Sequence, residues 1–474
     1  PYSVSSLTLD EATANFSDVP IDEATTKKKS IIYYPTDSSN NEAPLSEGLW
    51  PVIVFSHANN DTICQIYDRY KNLHTHWSSW GFIVISIDDT HLNCNPGTKE
   101  NIQERSDHQL AVIEFITTLS QSSASQFYQK IDYNSIILAG HSRGGGASLV
   151  SALALEEQVI AVITLQGIEL TSYGFGTPSI NTPTLGISVS EDVDLNYPYV
   201  EPTEDLLTGP YSWITFFGGI HAYTGDTIPI EPDDVPLISQ SHQQNLTEFF
   251  TTAFLDAFVG VINSKEETSR VPDRNSEILF SHKGSSIARE YISEKGAALR
   301  WNESAGTIIW IDTYNDSNST INNLGGQNEF QNFEQSLHAY TYCQNSEECY
   351  YMYRKSQSLL LENGQGDSIY KTWLSSTGVP VLIALPARLQ ARIKGLDTNP
   401  EAQLEVLFYS GGTIYTIQIT DEHMGPIALT NRYTQLDVNL QDIDASLSQI
   451  SIEAIGVRLI SGSLFIDDLR IIEK

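Results

Sequence analysis

Five residues, Gly140-His141-Ser142-Arg143-Gly144, interrupt an apolar run (Ser135-Ile136-Ile137-Leu138-Ala139) and lead into small, helix-compatible residues, Gly145-Gly146-Ala147-Ser148-Leu149. A G-x-S-x-G turn between a strand and a helix holds its serine in a strained conformation. It lifts the hydroxyl clear of the sheet edge, toward the N-terminus of the next helix. Ser142 is therefore the candidate nucleophile. A serine hydroxyl reacts poorly near neutral pH unless a histidine takes its proton and a carboxylate orients that histidine. Downstream, before the pattern of the chain changes near residue 262, only His221 and His242 are available. His221 follows the apolar run 212–217 and the pair Gly218-Gly219, where a catalytic loop belongs, whereas His242 lies inside a helical run. Past the apolar run 184–189 stand three carboxylates, Glu191, Asp192 and Asp194. Asp192 is the preferred acid, with Glu191 and Asp194 as alternatives.

A charge developing on a carbonyl oxygen needs two backbone N–H donors. One is that of Arg143, the residue after the nucleophile, and the other comes from the turn after an earlier strand. Ser56-His57-Ala58-Asn59 is such a turn, with Asn59 the preferred donor and Ala58 next. His57 and His141 flank the site and receive no proton-transfer role. Tyr67, Trp77 and Trp80 suit either an aromatic wall or a core-facing stripe.

These residues need a scaffold. Apolar runs at 31–34, 51–55, 82–87, 135–139, 160–165, 184–189 and 212–217 read as strands, and 66–80, 101–119, 144–156 and 239–259 read as helices. Such alternation implies a mostly parallel sheet with right-handed crossovers, and unbroken apolar strands imply cover on both faces. Beyond about residue 305, short apolar runs recur between turn residues, at 307–311, 381–385, 404–409, 413–417 and 463–466, as in a β-sandwich. The expected organisation is a catalytic α/β domain over 1–262, a linker and start of the second domain over 263–304, and a β-sandwich over 305–474. A chain of 474 residues exceeds what one core usually organises, which agrees with two domains.

With 59 acidic against 26 basic residues and a net charge of −33, the composition argues against nucleic acid and anionic membranes as partners, and a neutral substrate fits better. No apolar run reaches the roughly 18 residues of a membrane span. Pro1 reads as the start of a processed protein. Four cysteines allow three pairings, and only Cys64–Cys94 with Cys343–Cys349 keeps each bond inside one domain. Such usage points outside the cytosol.

Gly140-His141-Ser142-Arg143-Gly144-Gly145, the Phe55-Ser56-His57 turn, Asp192 and Gly219-Ile220-His221 resemble the α/β-hydrolases around dienelactone hydrolases, chlorophyllases and cutinase-like polyester hydrolases, those acting on poly(ethylene terephthalate) included. The resemblance spans roughly residues 30–260 and implies an α/β-hydrolase fold. It also implies a secreted carboxylic-ester hydrolase with Ser142, Asp192 and His221 as its triad and Asn59 and Arg143 at its oxyanion positions. The chain departs from the polyester enzymes in carrying Arg143 where methionine is usual, and no tryptophan lies between Gln166 and Pro178. In the second domain, Asp312-Thr313-Tyr314, Ile321-Asn322-Asn323-Leu324-Gly325-Gly326, Ala391-Arg392-Ile393-Lys394-Gly395 and Leu464-Phe465-Ile466-Asp467-Asp468-Leu469 resemble galactose-binding-type jelly rolls used as carbohydrate-binding modules. Such modules often carry structural calcium, for which Asp312, Asp467 and Asp468 offer oxygen ligands, surface aspartates being the plainer reading. The expected function is ester hydrolysis without a catalytic cofactor, on a polymeric or surface-bound ester, with polysaccharide as partner of the second domain. A carbohydrate esterase acting on a decorated polysaccharide is the alternative among enzymes, and a carbohydrate-binding protein with an inactive hydrolase half is the alternative outside them.

Overall fold

The computed structural model describes residues 2–8, 30–38, 43–60, 63–95, 97–155, 158–195, 203, 206–230, 235–260, 276–292, 297–302, 308–312, 321–324, 326–332, 334–339, 357–395, 404–420, 423, 434–444 and 446–473. It divides into two compact units, residues 1–281 with 301–303, and residues 282–300 with 304–474.

The first unit is built on a mixed sheet. Its strands are β1 (Ser3–Thr8), β2 (Ser30–Thr36), β3 (Trp50–Ser56), β4 (Ile83–Ile87), β5 (Ile131–His141), β6 (Val159–Leu165), β7 (Thr184–Val189) and β8 (Tyr211–Phe216), and the sheet ends in β9 (Ala297–Asn302). The order is β1-β2-β4-β3-β5-β6-β7-β8-β9. β2 runs antiparallel to β1 and β4, and the neighbours from β4 through β8 are all parallel. Its helices are α1 (Lys71–Ser79), α2 (Lys99–Gln121), α3 (Arg143–Ala154), α4 (Gln240–Phe258) and the short α5 (Ser276–Leu279). Every residue of β3, β4, β7 and β8 is buried. The unbroken apolar runs follow from that, because a parallel strand covered on both faces has no solvent side to make polar. Helix α2 starts where the Thr98 side chain accepts from the Asn101 N–H, which satisfies one of the donors that a helix N-terminus leaves open.

Among the polar residues buried in this interior is Gln109. The Gln109 amide on α2, fully buried, donates to the Ser148 hydroxyl at 2.9 Å and to the Ala139 carbonyl at 3.2 Å, and its oxygen accepts from Ser151 at 2.8 Å. It fixes α2 against α3 and against the strand that leads into the Ser142 turn. Trp77 likewise belongs to the interior, with its indole N–H on the Thr251 hydroxyl of α4 at 2.9 Å. Tyr67 is also buried, its carbonyl accepting from the Ser86 hydroxyl.

The second unit holds the helix α6 (Lys283–Ile292) and the strands β10 (Ile308–Asp312), β11 (Asn328–Gln331), β12 (Glu334–Ala339), β13 (Gln357–Trp373), β14 (Val381–Ala384), β15 (Ala387–Gly395), β16 (Leu404–Ser410), β17 (Thr413–Gln418), β18 (Thr434–Asn439), β19 (Gln449–Ile452) and β20 (Ala454–Glu473). The long β20 pairs antiparallel with β10, β13, β15 and β16, so it is the spine of a nine-stranded sheet, while β14 and β19 form a separate pair. Leu389, Val406, Phe408, Leu459, Ile466 and Ile450 are among the residues of a buried cluster in this unit. The strand character expected of this half is present among the described residues. Cys343 and Cys349 lie outside the described residues, as do the side chains of Asp312, Asp467 and Asp468.

In the first unit Cys64 and Cys94 form a disulfide with a Cα–Cα distance of 5.5 Å across 30 residues of sequence. Closing a loop of that length removes unfolded-chain entropy worth about 3–4 kcal/mol. Urea unfolding of the first-unit transition with and without reductant should differ by about 3 kcal/mol, and equal midpoints would contradict this contribution.

Candidate active site

The turn from β5 into α3 carries the nucleophile candidate. Ser142 has φ 56° and ψ −121° and is 3% exposed. Its N–H donates to the Leu165 carbonyl at the end of β6 at 2.9 Å, and its own carbonyl accepts from Gly146 and Ile168. The two flanking glycines are required by contact: a Cβ on Gly140 would run into the Gly144 carbonyl, and one on Gly144 into the Ser56 carbonyl of β3. The first turn of α3 therefore lies directly on the end of β3, and Arg143 opens that helix with its N–H beside the serine. The Arg143 guanidinium turns away to donate to the Asn95 carbonyl at 2.8 Å.

The candidate base sits in a short 3-10 turn, His221–Thr224, after β8. His221 Nδ1 lies 2.8 Å from Asp192 Oδ2, and both side chains are more than nine-tenths buried. A carboxylate only accepts, so Nδ1 carries the proton and Nε2 presents its lone pair. Asp192 Oδ1 in turn accepts the Leu195 N–H at 2.9 Å. The two other carboxylates are placed differently. Glu191 accepts from its neighbour Ser190 at 2.8 Å, whereas Asp194, half exposed, has Oδ2 3.4 Å from His221 Nε2. Asp192 thus meets Nδ1, and Asp194 stands on the opposite, Nε2 side of the ring. His141, the residue before Ser142, brings the two halves together: its ring centroid is 4.5 Å from that of His221. His242 is in the first turn of α4, where its N–H donates to Ser239 Oγ.

The peptide in front of His221 is clamped from α4. Gln243, fully buried, accepts the Ile220 N–H at 3.0 Å and donates to the Ile220 carbonyl at 2.9 Å. Behind it Thr224 donates to the side chain of Gln166, so a chain of amides and a hydroxyl fixes the loop. Gln243 stands among polar residues, Gln240-Ser241-His242-Gln243-Gln244-Asn245, so nothing in the sequence marks it for this role.

The turn after β3 is held by a buried polar frame. Asp89, beyond β4 and fully buried, accepts from Ser56 Oγ at 2.8 Å and from His108 Nδ1 at 2.6 Å, with Arg105 Nη1 at 3.5 Å. Its N–H donates to His57 Nε2 at 3.0 Å, and His57 Nδ1 donates to the Ala58 carbonyl at 2.7 Å, so His57 is a neutral, fully bonded ring. Arg105 donates to the His57 carbonyl at 2.9 Å and to Asn93 at 2.5 Å. The Ala58 N–H is engaged by Tyr70 Oη at 3.2 Å, and that hydroxyl donates to His141 Nδ1 at 2.8 Å. Asn59 is tied through its side chain, which accepts the Cys94 N–H at 3.2 Å. Of the two turn residues considered for the oxyanion, Ala58 has its donor committed.

Burial would raise the Asp89 carboxyl, but the hydrogen bond from His108 and the charge of Arg105 outweigh it and hold Asp89 well below the carboxylate range. Burial, and after it the Arg105 charge, lowers His57 to about 4, and burial alone lowers His74 to about 3. His141 is pushed well down by burial, then by His221 and His57. Both flanking histidines therefore act as packed neutral rings.

Residues 4–198 match the PETase family, described as PET hydrolase-like. The matched stretch, less than half of the chain, includes Ser56–Asn59, Ser142 and Asp192 and ends before His221. No curated protein matches the chain.

Histidines that stay neutral when folded but charge when unfolded give stability a defined pH dependence. Above the ordinary value of about 6.5 the unfolded and folded forms are both neutral and the full stability is present. Below it the unfolded chain takes up protons that folded His57 refuses until about pH 4 and His74 until about pH 3. Unfolding should then become easier by about 1.4 kcal/mol per pH unit for each such group. Urea midpoints should fall between pH 6.5 and 4.5, and a midpoint constant over that range would refute the neutral assignment.

Proposed function

We propose that the first unit is a serine carboxylic-ester hydrolase working through Ser142, His221 and Asp192. The observation that carries this reading is the 2.8 Å contact between His221 Nδ1 and the buried Asp192, on a ring that packs against the residue preceding the strained Ser142. Nε2 takes the Ser142 hydroxyl proton as Oγ attacks the ester carbonyl. The oxyanion accepts the N–H groups of Arg143 and Asn59, and the imidazolium is stabilised by Asp192. Collapse breaks the carbon–oxygen bond to the alcohol, which leaves with the proton from Nε2. Water repeats the sequence on the acyl-enzyme and returns the serine. None of these steps needs a cofactor.

The similarity of residues 4–198 to PET hydrolase-like proteins supports an ester of the polyester kind as substrate. A carbohydrate ester is the second reading, favoured by the appended β-rich unit, whose sequence resembles carbohydrate-binding modules. The Cys64–Cys94 bond supports an oxidising, extracytosolic setting.

Ser142→Ala should lower turnover of a p-nitrophenyl ester by about 10⁶-fold and Asp192→Asn by about 10⁴-fold, both with unchanged melting curves. Near-native turnover by Ser142→Ala would end the serine-esterase reading. A larger loss in Asp194→Asn than in Asp192→Asn would move the acid to Asp194.

We further assign the second unit a tethering role, as a carbohydrate-binding-like module that holds the enzyme at a polymer and raises the local ester concentration around Ser142. A chain ending after residue 303, which keeps the whole first unit, should hydrolyse a small soluble ester at the native rate but attack an insoluble polyester or esterified polysaccharide more slowly at low enzyme loading. Equal loss on both substrates would mean that the second unit serves stability instead.

A further inference from the structure

Three metal-ligating side chains converge outside the catalytic centre. His91 lies in the 3-10 turn Thr90–Leu92 after β4, and Glu104 and His108 are one turn apart on α2. Their ligand atoms all fall within 4.8 Å of one another. His91 Nε2 is 3.2 Å from Glu104 Oε1, and His108 Nε2 is 3.8 Å from the same oxygen. A tetrahedral ion with bonds of about 2.0–2.1 Å needs its donors about 3.3–3.4 Å apart, so these two pairs stand within about half an ångström of the requirement. The third pair closes by rotation of His91, whose side chain is half exposed.

A plain surface contact between a histidine and a glutamate would explain His91 and Glu104, but not the preparation of His108. The His108 side chain is only 6% exposed, and its Nδ1 sits 2.6 Å from Asp89 Oδ1. Because that carboxylate accepts, the proton is on Nδ1 and the lone pair of Nε2 points to the cluster. A carboxylate behind a histidine, fixing its tautomer and orientation, is the usual support of a metal-bound imidazole. Asp89 is itself immobilised by Ser56 and Arg105.

We propose that His91, Glu104 and His108 bind one divalent transition-metal ion of the Zn²⁺ type, with water completing its coordination. Two imidazoles and one carboxylate suit Zn²⁺, whereas Ca²⁺ and Mg²⁺ require mostly oxygen donors. The bound ion ties the turn after β4 to α2. Through His108, Asp89 and the two contacts from Asp89 to Ser56 and His57, it also braces the turn that carries Asn59.

The test uses the full-length, tag-free protein stripped with EDTA. Titration with ZnCl₂ at pH 7.5 in a calorimeter should give one ion per chain, and Zn²⁺ at a hundredfold excess over its dissociation constant should raise the first melting transition by about 5 °C. His91→Ala and Glu104→Gln should each weaken binding by at least about tenfold while leaving the metal-free melting temperature unchanged, since both side chains are exposed. MgCl₂ should produce neither heat nor shift. Absence of Zn²⁺ binding, or binding with equal affinity in the His91→Ala/Glu104→Gln double variant, would overturn the site.

Discussion

The constraint on which the site depends is the contact of the first turn of α3 with the end of β3. Gly144 lies so close to the Ser56 carbonyl, and Gly140 to the Gly144 carbonyl, that no side chain fits at either place. This contact brings the strained Ser142 beside the Ser56–Asn59 turn, so the proposed nucleophile and the proposed oxyanion donors come from strands adjacent in the sheet. A helix that begins right after Ser142 also aims its N–H groups where the proposed reaction would develop negative charge.

Around that contact the molecule buries charge. Asp89 and Arg105 are fully buried, and removing one partner of such a pair typically costs about 3–5 kcal/mol because the other is left uncompensated. Their hydrogen bonds are divided among Ser56, His57, Asn93 and His108, so the charges hold the loop after β3, the turn after β4 and α2 in one frame. The opposite wall uses neutral groups: Gln243, Thr224 and Gln166 fix the backbone on either side of His221. Charge supports the turn after β3, and amides support the loop of His221.

The Ser142 turn, the alternation of strands and helices and the apolar strand runs were legible in the sequence because each is local. Strand runs with every residue buried stay apolar, and the turn needs its glycines within five residues. β1 was not legible, since four of the six residues of Ser3–Thr8 are polar and it is a strand only through its pairing with β2. β13 and β20 were hidden too. Asn363-Gly364-Gln365-Gly366 and Ser461-Gly462-Ser463 look like turns, but the ladder between the two strands absorbs them as register shifts instead of breaking.

Composition and spacing alone determined that this chain carries a strand–serine–helix turn, a histidine after a glycine pair, three nearby carboxylates and a strongly acidic surface. Which carboxylate faces which ring nitrogen was a matter for the tertiary structure, because Glu191, Asp192 and Asp194 are equivalent in sequence and differ only in the direction their positions give them toward His221. The same holds for Asp89, Arg105, His108 and Gln243, which carry no local signature. They act through partners 12 to 48 residues away. Backbone conformation is set by neighbours along the chain and can be read there, whereas the pairing of buried polar groups is set by packing between elements and exists only once the chain has folded.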